Sequence, residues 1–334
     1  MTYDLAGVWD QKTGHHSDFK RSTEWSKSYV DKGFPKEKVL VGVAFYGRGY
    51  TLKDAAQHAT GAPIAGVGNT PAGADGTALY SEMCDLVKNK GWKKERANGK
   101  DPFAYNGKIW FGYDDPYQAY DKAAWVKANG YGGIIMWEVG QDDVKGTCCS
   151  VKFPMLRAIN NGLFGTVQKT FIMKILLYAT LVCAQLSVTI CIPRVICYYP
   201  DYRLKTLAPI DFDPLLCTHI HFSFHKYDDA HNVIVDSTGS ARPALYNRLK
   251  TLKKRNSKLK LMVAVAGYGM PDQPFSHMVN DPKLRAPFIK NTVAYLKKYG
   301  FDGLDLDWEY PVCWGGDCTK GPATDKPNFG KLLL

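Results

Sequence analysis

Residues 301–311 read FDGLDLDWEYP. The pattern predicts a strand over Phe301–Tyr310. Side chains alternate along a strand, so Asp305, Asp307 and Glu309 fall on one face and Leu304, Leu306 and Trp308 on the other. Successive acids then stand roughly 6.5 Å apart. Carboxylates this close resist joint ionisation, so at least one keeps its proton and titrates high. A carboxyl that holds a proton near neutral pH is what general acid catalysis needs, and Glu309 is the expected donor. The competing chemistry is a hard cation held by Asp-x-Asp-x-Glu, but no further oxygen-rich loop accompanies the row.

Such a row needs a scaffold that points it into a wet interior while the apolar face packs on helices. The second half of the chain alternates short apolar runs with helical patterns. Strands are expected at Val195–Tyr199, His219–Phe224 and Leu259–Ala266, with helices at Pro243–Arg255 and Pro287–Tyr299. This alternation predicts a parallel sheet or barrel. The first half opens on an extended run, Met1–Leu5. Further strands are expected at Val39–Phe45 and Gly132–Val139, the latter after a helix at Tyr117–Asn129. Residues 50–113 are Gly-rich and mixed, with a helix near Leu79–Asn89, and read as an inserted subdomain.

Composition narrows the function classes. The chain has 334 residues, 45% hydrophobic and 22% charged, which fits a buried globular protein. Aromatics reach 13%, enough to line a sugar cleft or to fill a core. The net charge of +11 comes from lysine groups such as Lys253–Lys254 on solvated helix faces. No nucleic-acid-binding motif accompanies it. Nine cysteines occur without the paired spacing of a zinc site. Cys313 and Cys318 lie close in sequence, Cys197 and Cys217 lie further apart, and Cys84 has Cys148 or Cys149 as partner. Three bridges would suit an oxidising compartment.

An internal feature stands apart. Met173-Lys174 leads into ILLYATLVCAQLSVTICI, which has the basic start, apolar stretch and small residues of a secretory signal peptide. Its polar Gln185, Ser187 and Thr189 make it a poor membrane span, and the alternative is a buried helix. The chain therefore reads as residues 1–165, a junction with the signal-like segment at 166–192, and residues 193–334.

D-G-x-D-x-D-W-E-Y-P resembles the signature of glycoside hydrolase family 18, the chitinases. VICYYPDYR and DPLLCTHIHFSF resemble that family's first two barrel strands. MTYDL resembles its sixth, VGVAFYGRGYTL its seventh and GGIIMWEVGQDD its eighth, and residues 50–113 resemble its α+β insertion domain. PVCWGGDCTKGPATDKPNF is similar to arthropod members. The resemblance implies an α/β fold, a (β/α)₈ barrel that is permuted and incomplete. Strands six to eight precede strands one to four, and the fifth-strand region is missing. Residues 1–165 would be the C-terminal part of one chitinase barrel and 193–334 the N-terminal part of another.

The resemblance also implies cleavage of β-1,4-linked N-acetylglucosamine with retention, assisted by the substrate's own acetamido group. Glu309 would be the acid and base, Asp307 would orient the acetamido nitrogen, and Asp305 would share a proton with Asp307. Tyr3 would bond the acetamido carbonyl and Asp4 the sugar hydroxyls, with Met1 in the same segment. Trp137 would floor the cleft and Arg48 would line it. Tyr198 and Phe224 match aromatic cleft positions, and Tyr268 stands where the family has Trp. A Cys197–Cys217 bridge is implied as well.

The expected ligands are chitin or chito-oligosaccharides, with no cofactor, no metal, no nucleic acid and no membrane partner, in an extracellular setting. Two departures stand out. The third strand ends in Ala264-Val265-Ala266-Gly267 where the family has S-x-G-G, which weakens the support of the acidic strand. Gly140 stands where Asp is common. A chitin-binding lectin-like protein, or a non-functional fusion of two gene fragments, are the alternatives.

Overall fold

The structure is a computed structural model that describes residues 1–73, 75–165 and 193–333. The signal-like segment and its junction lie outside the described residues. The chain forms two compact units, Met1–Cys197 and Tyr198–Leu334.

In the first unit, helix α1 (Phe19–Asp31) leads into strand β1 (Leu40–Ala44). Asp18 caps α1 by accepting the Arg21 N–H at 2.7 Å. Strands β2 (Tyr46–Leu52), β3 (Ile64–Val67) and β4 (Thr77–Leu79) follow, then helix α2 (Tyr80–Asn89). Strands β5 (Lys93–Ala97), β6 (Asp101–Asn106) and β7 (Ile109–Tyr113) complete an antiparallel sheet in the order β3-β2-β7-β6-β5, with β4 beside β2. The expected insertion therefore exists, but it begins with β2 at Tyr46. Its core gathers Tyr50, Leu52, Ile64, Phe103 and Trp110. Trp110 is fully buried and its indole N–H donates to the His58 carbonyl, which makes it core and not cleft.

Helix α3 (Pro116–Asn129) begins on an Asp115 cap with Pro116 in its first turn and ends on Gly130 at φ 70. It delivers the chain to β8 (Gly133–Trp137), which pairs in parallel with β1 on one side and with the start of β9 (Arg194–Pro200) on the other. Gly133 has φ 141, and a Cβ there would lie 2.0 Å from the Arg194 carbonyl oxygen, so this close approach requires glycine. Helix α4 (Pro154–Phe164) packs on α3.

The expected strand Met1–Leu5 does not form; the segment is coil. Asp4 takes φ 59, in the left-handed region, which interrupts an extended ladder. A side chain ties the segment to β1 instead. Thr2 Oγ donates to the Gly42 carbonyl at 3.1 Å and accepts the Gly42 N–H at 2.7 Å.

In the second unit, β10 (His219–Asp228) pairs in parallel with β12 (Lys260–Ala266), and β12 pairs in parallel with β13 (Gly303–Asp307). Strand β11 (Val233–Val235) lies antiparallel on the far end of β10. Helix α5 (Pro243–Arg255) precedes β12, and its apolar stripe of Leu245, Leu249 and Leu252 is buried. Helices α6 (Asp272–Asn280) and α7 (Pro282–Tyr299) connect β12 to β13, and α8 (Asp325–Leu332) comes last.

Helix α7 starts ahead of the expected Pro287. Asp281 caps it by accepting the Lys283 N–H at 2.8 Å, Pro282 occupies the first turn, and Pro287 is carried inside. Parallel strands linked by helices give each unit the α/β pattern of the barrel class.

Strand β13 is shorter than the expected Phe301–Tyr310. The ladder stops at Asp307 because the next residues are claimed by other elements. The Trp308 indole N–H donates to Asp272 at 2.7 Å, and its ring packs 5.3 Å from Phe275 and 5.7 Å from Phe329. The Val312 N–H and the Trp314 indole N–H both reach Asp325, at 3.2 and 2.9 Å.

Candidate active site

The acidic residues sit at the C-terminal end of β13, where parallel strands present their functional side chains. Register sets their neighbours: Asp305 pairs with Ala264 and Asp307 with Ala266. Asp305 Oδ2 accepts the Tyr198 hydroxyl at 2.6 Å and lies 2.9 Å from His221 Nδ1. Burial pushes the Asp307 carboxyl up to about 7, and the negative charges of Glu309 and Asp305 push the same way. Asp307 is thus a carboxyl of the row raised toward neutral pH. Glu309, half-buried, lies in the bend beyond β13, so strand alternation places only Asp305 and Asp307 on the shared face.

Trp308 is buried on the opposite side as expected, whereas Leu304 and Leu306 are only half-buried. The loop after Glu309 is braced by the Cys313–Cys318 disulfide and by Asp325, which is buried and also accepts from Ser276. Two aromatics stand at the neighbouring strand ends. The Phe224 ring packs over Gly267, where a Cβ would meet it at 2.9 Å, and lies 5.9 Å from Tyr198. Tyr268 is 91% exposed, an unpacked ring at the tip of the turn after β12.

The first unit builds a second cluster. Tyr3, Ala44 and Tyr46 form a buried group against which Trp137 packs. The Asp4 carboxylate accepts the Tyr46 hydroxyl and the Arg48 Nε–H, each at 2.6 Å. Burial opposes that charge, but the contacts with His16 and Arg48 more than reverse the effect and hold the carboxyl well below its usual range. Burial and the Asp4 charge both keep the Tyr46 hydroxyl protonated, so it serves as a donor. Arg48 also lies 5.6 Å from the ring of Trp9, which is 58% exposed. Met1 is exposed at the head of this segment. Of the expected site residues, Tyr3, Asp4, Arg48 and Trp137 thus cluster within the first unit. Asp305, Asp307, Tyr198 and Phe224 cluster within the second.

Three residues join these clusters that sequence reading passed over or left open. Tyr46 belongs to the polar cluster through its bond to Asp4. Trp9 was legible only as one tryptophan among eight. His221 had a visible signal, an imidazole between Ile220 and Phe222 in an expected strand. Cys84 bridges Cys148, leaving Cys149 unbridged with its sulfur 3.5 Å from Cys84. The three sulfurs lie close enough for a metal, but the bridge occupies two of them. No described helix is long and apolar enough to cross a membrane.

The family model "Glycosyl hydrolases family 18" matches residues 1–142 and 194–334. "Probable chitinase 10" of Drosophila melanogaster is 28% identical over 406 aligned positions, which take in 100% of this chain and 18% of that protein. An "Endochitinase" of Brugia malayi is 33% identical over 49% of this chain and 36% of its own. Among solved structures, catalytic domain 2 of the Group II chitinase of Ostrinia furnacalis, an E2180L mutant in complex with a chito-oligosaccharide, is 34% identical. It covers 50% of this chain and 48% of that one, with a TM-score of 0.47. The chain spans less than half the length of each of these relatives.

Proposed function

Because the chain belongs to glycosyl hydrolases family 18, we propose that its carboxylate row serves the hydrolysis of chitin, a β-1,4-linked N-acetylglucosamine polymer. The observation that supports the proposal is the row itself: Asp305 and Asp307 on one face at the end of β13, with Glu309 just beyond and the Asp307 carboxyl raised to about 7, so that the row can share a proton and present it at Glu309. In this reading Glu309 gives a proton to the glycosidic oxygen as the bond from that oxygen to C1 breaks. The acetamido carbonyl oxygen of the same sugar bonds to C1, and Asp307 holds the acetamido nitrogen in place. Glu309, now a carboxylate, takes a proton from water as the water oxygen attacks C1 and reopens the ring, which retains the anomeric configuration.

Asp305 supports Asp307. Within the first unit, Tyr3, Asp4, Arg48 and Trp137, with Met1, would contribute sugar-binding groups as the family pattern implies. Tyr198, Phe224 and Tyr268 would add aromatic contacts. The Cys84–Cys148 and Cys313–Cys318 bridges support an extracellular setting.

The test is turnover of a labelled chito-oligosaccharide. The wild-type chain is expected to cleave it, and Glu309→Gln to lose about 10²- to 10⁴-fold in kcat. Equal binding by both with cleavage by neither would replace the enzyme with a chito-oligosaccharide-binding protein. The origin of the chain is a separate proposal: residues 1–165 end one catalytic repeat and residues 193–334 begin the next. One alignment carrying the whole chain through a single relative supports it. Transcript reads spanning Phe164–Lys174 are expected, and their absence would refute a continuous chain.

A further inference from the structure

Near the start of β10, His221 stands between two apolar residues. Ile220, His221 and Phe222 are all buried, His221 at 6% exposure. A buried ring nitrogen costs free energy unless it finds a partner. His221 Nδ1 lies 2.9 Å from Asp305 Oδ2, the oxygen that also takes the Tyr198 hydroxyl. On the adjacent strand, the residue in register with Asp305 is Ala264, whose methyl group offers no hydrogen bond. The third-strand support expected from the sequence pattern is therefore absent at that position.

We propose that His221 is a positioning residue that supplies this support from β10, donating its Nδ1–H to Asp305 and fixing the carboxylate that flanks Asp307. This rests on the carboxylate row being the catalytic site. The donor–acceptor balance is definite. A carboxylate oxygen only accepts, so the proton between the two atoms belongs to Nδ1. Imidazolium carries that proton, and so does one of the two neutral tautomers. In the other tautomer the Nδ1 lone pair would face the carboxylate and repel it. Asp305 therefore selects the Nδ1–H tautomer of neutral His221, and His221 in turn restricts the rotation of Asp305.

The groups around the ring fit this assignment. Tyr198 meets the His221 ring edge-on at 5.4 Å while spending its own proton on Asp305. His219 lies 6.4 Å away and its Nδ1 pairs with the Thr218 hydroxyl. Misplacing a group beside the reacting centre by a fraction of its length is costly even when substrate still binds.

The experiment has two arms on the full chain. In the first, His221→Leu and His221→Asn are compared with wild type on a labelled chito-oligosaccharide. His221→Leu removes the donor and is expected to lower kcat by about 10- to 100-fold while KM changes little. His221→Asn keeps an N–H near the Nδ1 position and is expected to recover most of the loss. Equal activity in all three, or equal loss in both variants, overturns the assignment.

The second arm needs no turnover. Histidine ¹⁵N labelling, with the His221 signal identified by its disappearance in His221→Leu, reports the tautomer. The Nδ1–H form is expected in wild type, with a shift toward Nε2–H in Asp305→Ala. An Nε2–H form in wild type overturns the assignment. A chain that shows the expected tautomer but cleaves nothing keeps the His221–Asp305 contact and loses the hydrolase reading.

Discussion

Asp4 in the first unit, 40% exposed, and Asp307 in the second, half-buried, both bear a desolvation cost, yet they titrate in opposite directions. At Asp4 the burial cost is more than reversed by His16 and by an Arg48 guanidinium 2.6 Å away. At Asp307 burial acts with two neighbouring carboxylates, and the group rises to about 7. Burial alone therefore does not decide the charge of a carboxyl; the sign of its neighbours does. One unit holds a fixed anion suited to gripping hydroxyl groups. The other holds a proton that can be moved.

The largest expected effect comes from removing the strained charge. An acid whose folded pKa lies above its unfolded value binds more protons folded than unfolded, so its contribution to stability falls as pH rises from 3.8 to about 7. Asp307→Asn removes that penalty. It is expected to raise stability at about pH 8 by up to about 4 kcal/mol, less to the extent that water reaches the site, and to do little near pH 4. Thermal melts at the two pH values measure it, and a gain independent of pH would break the comparison.

Asp4→Asn should behave in the opposite way. Its folded pKa is depressed, so its stability is present above the ordinary carboxylate range and is lost only as pH falls well below it. The cost of the substitution is therefore expected to be flat between about pH 5 and about pH 8 and to shrink in strong acid. Arg48→Leu tests the cause. The Asp4 side chain is 40% exposed, so solvent screening limits the loss to about 1 kcal/mol, with Asp4 titrating closer to its usual range by NMR. Tyr46→Phe deletes one neutral donor and is expected to cost the least, about 0.5–1 kcal/mol by chemical denaturation.

The scaffold was largely legible in sequence because it follows from local rules. Pro243–Arg255 carries a helical apolar stripe and is a helix over that span. The Val39–Phe45 and Gly132–Val139 runs became parallel strands trimmed at their ends. Met1–Leu5 misled because its apolar residues say nothing of the left-handed Asp4 or of Thr2 tying it to Gly42. Phe301–Tyr310 misled at its end because Trp308, though correctly alternating, is drawn to Asp272, a residue set by packing.

What the sequence determined by itself was the spacing of three carboxylates and the period that turns Asp305 and Asp307 to one face. Covalent spacing and backbone geometry fix that much. Which aspartate is pushed up and which is held down was decided only by tertiary structure, because charge acts through space. Tyr198 and His221 are separated from Asp305 by 107 and 84 residues along the chain, and only the packing of parallel strands brings them onto one of its oxygens.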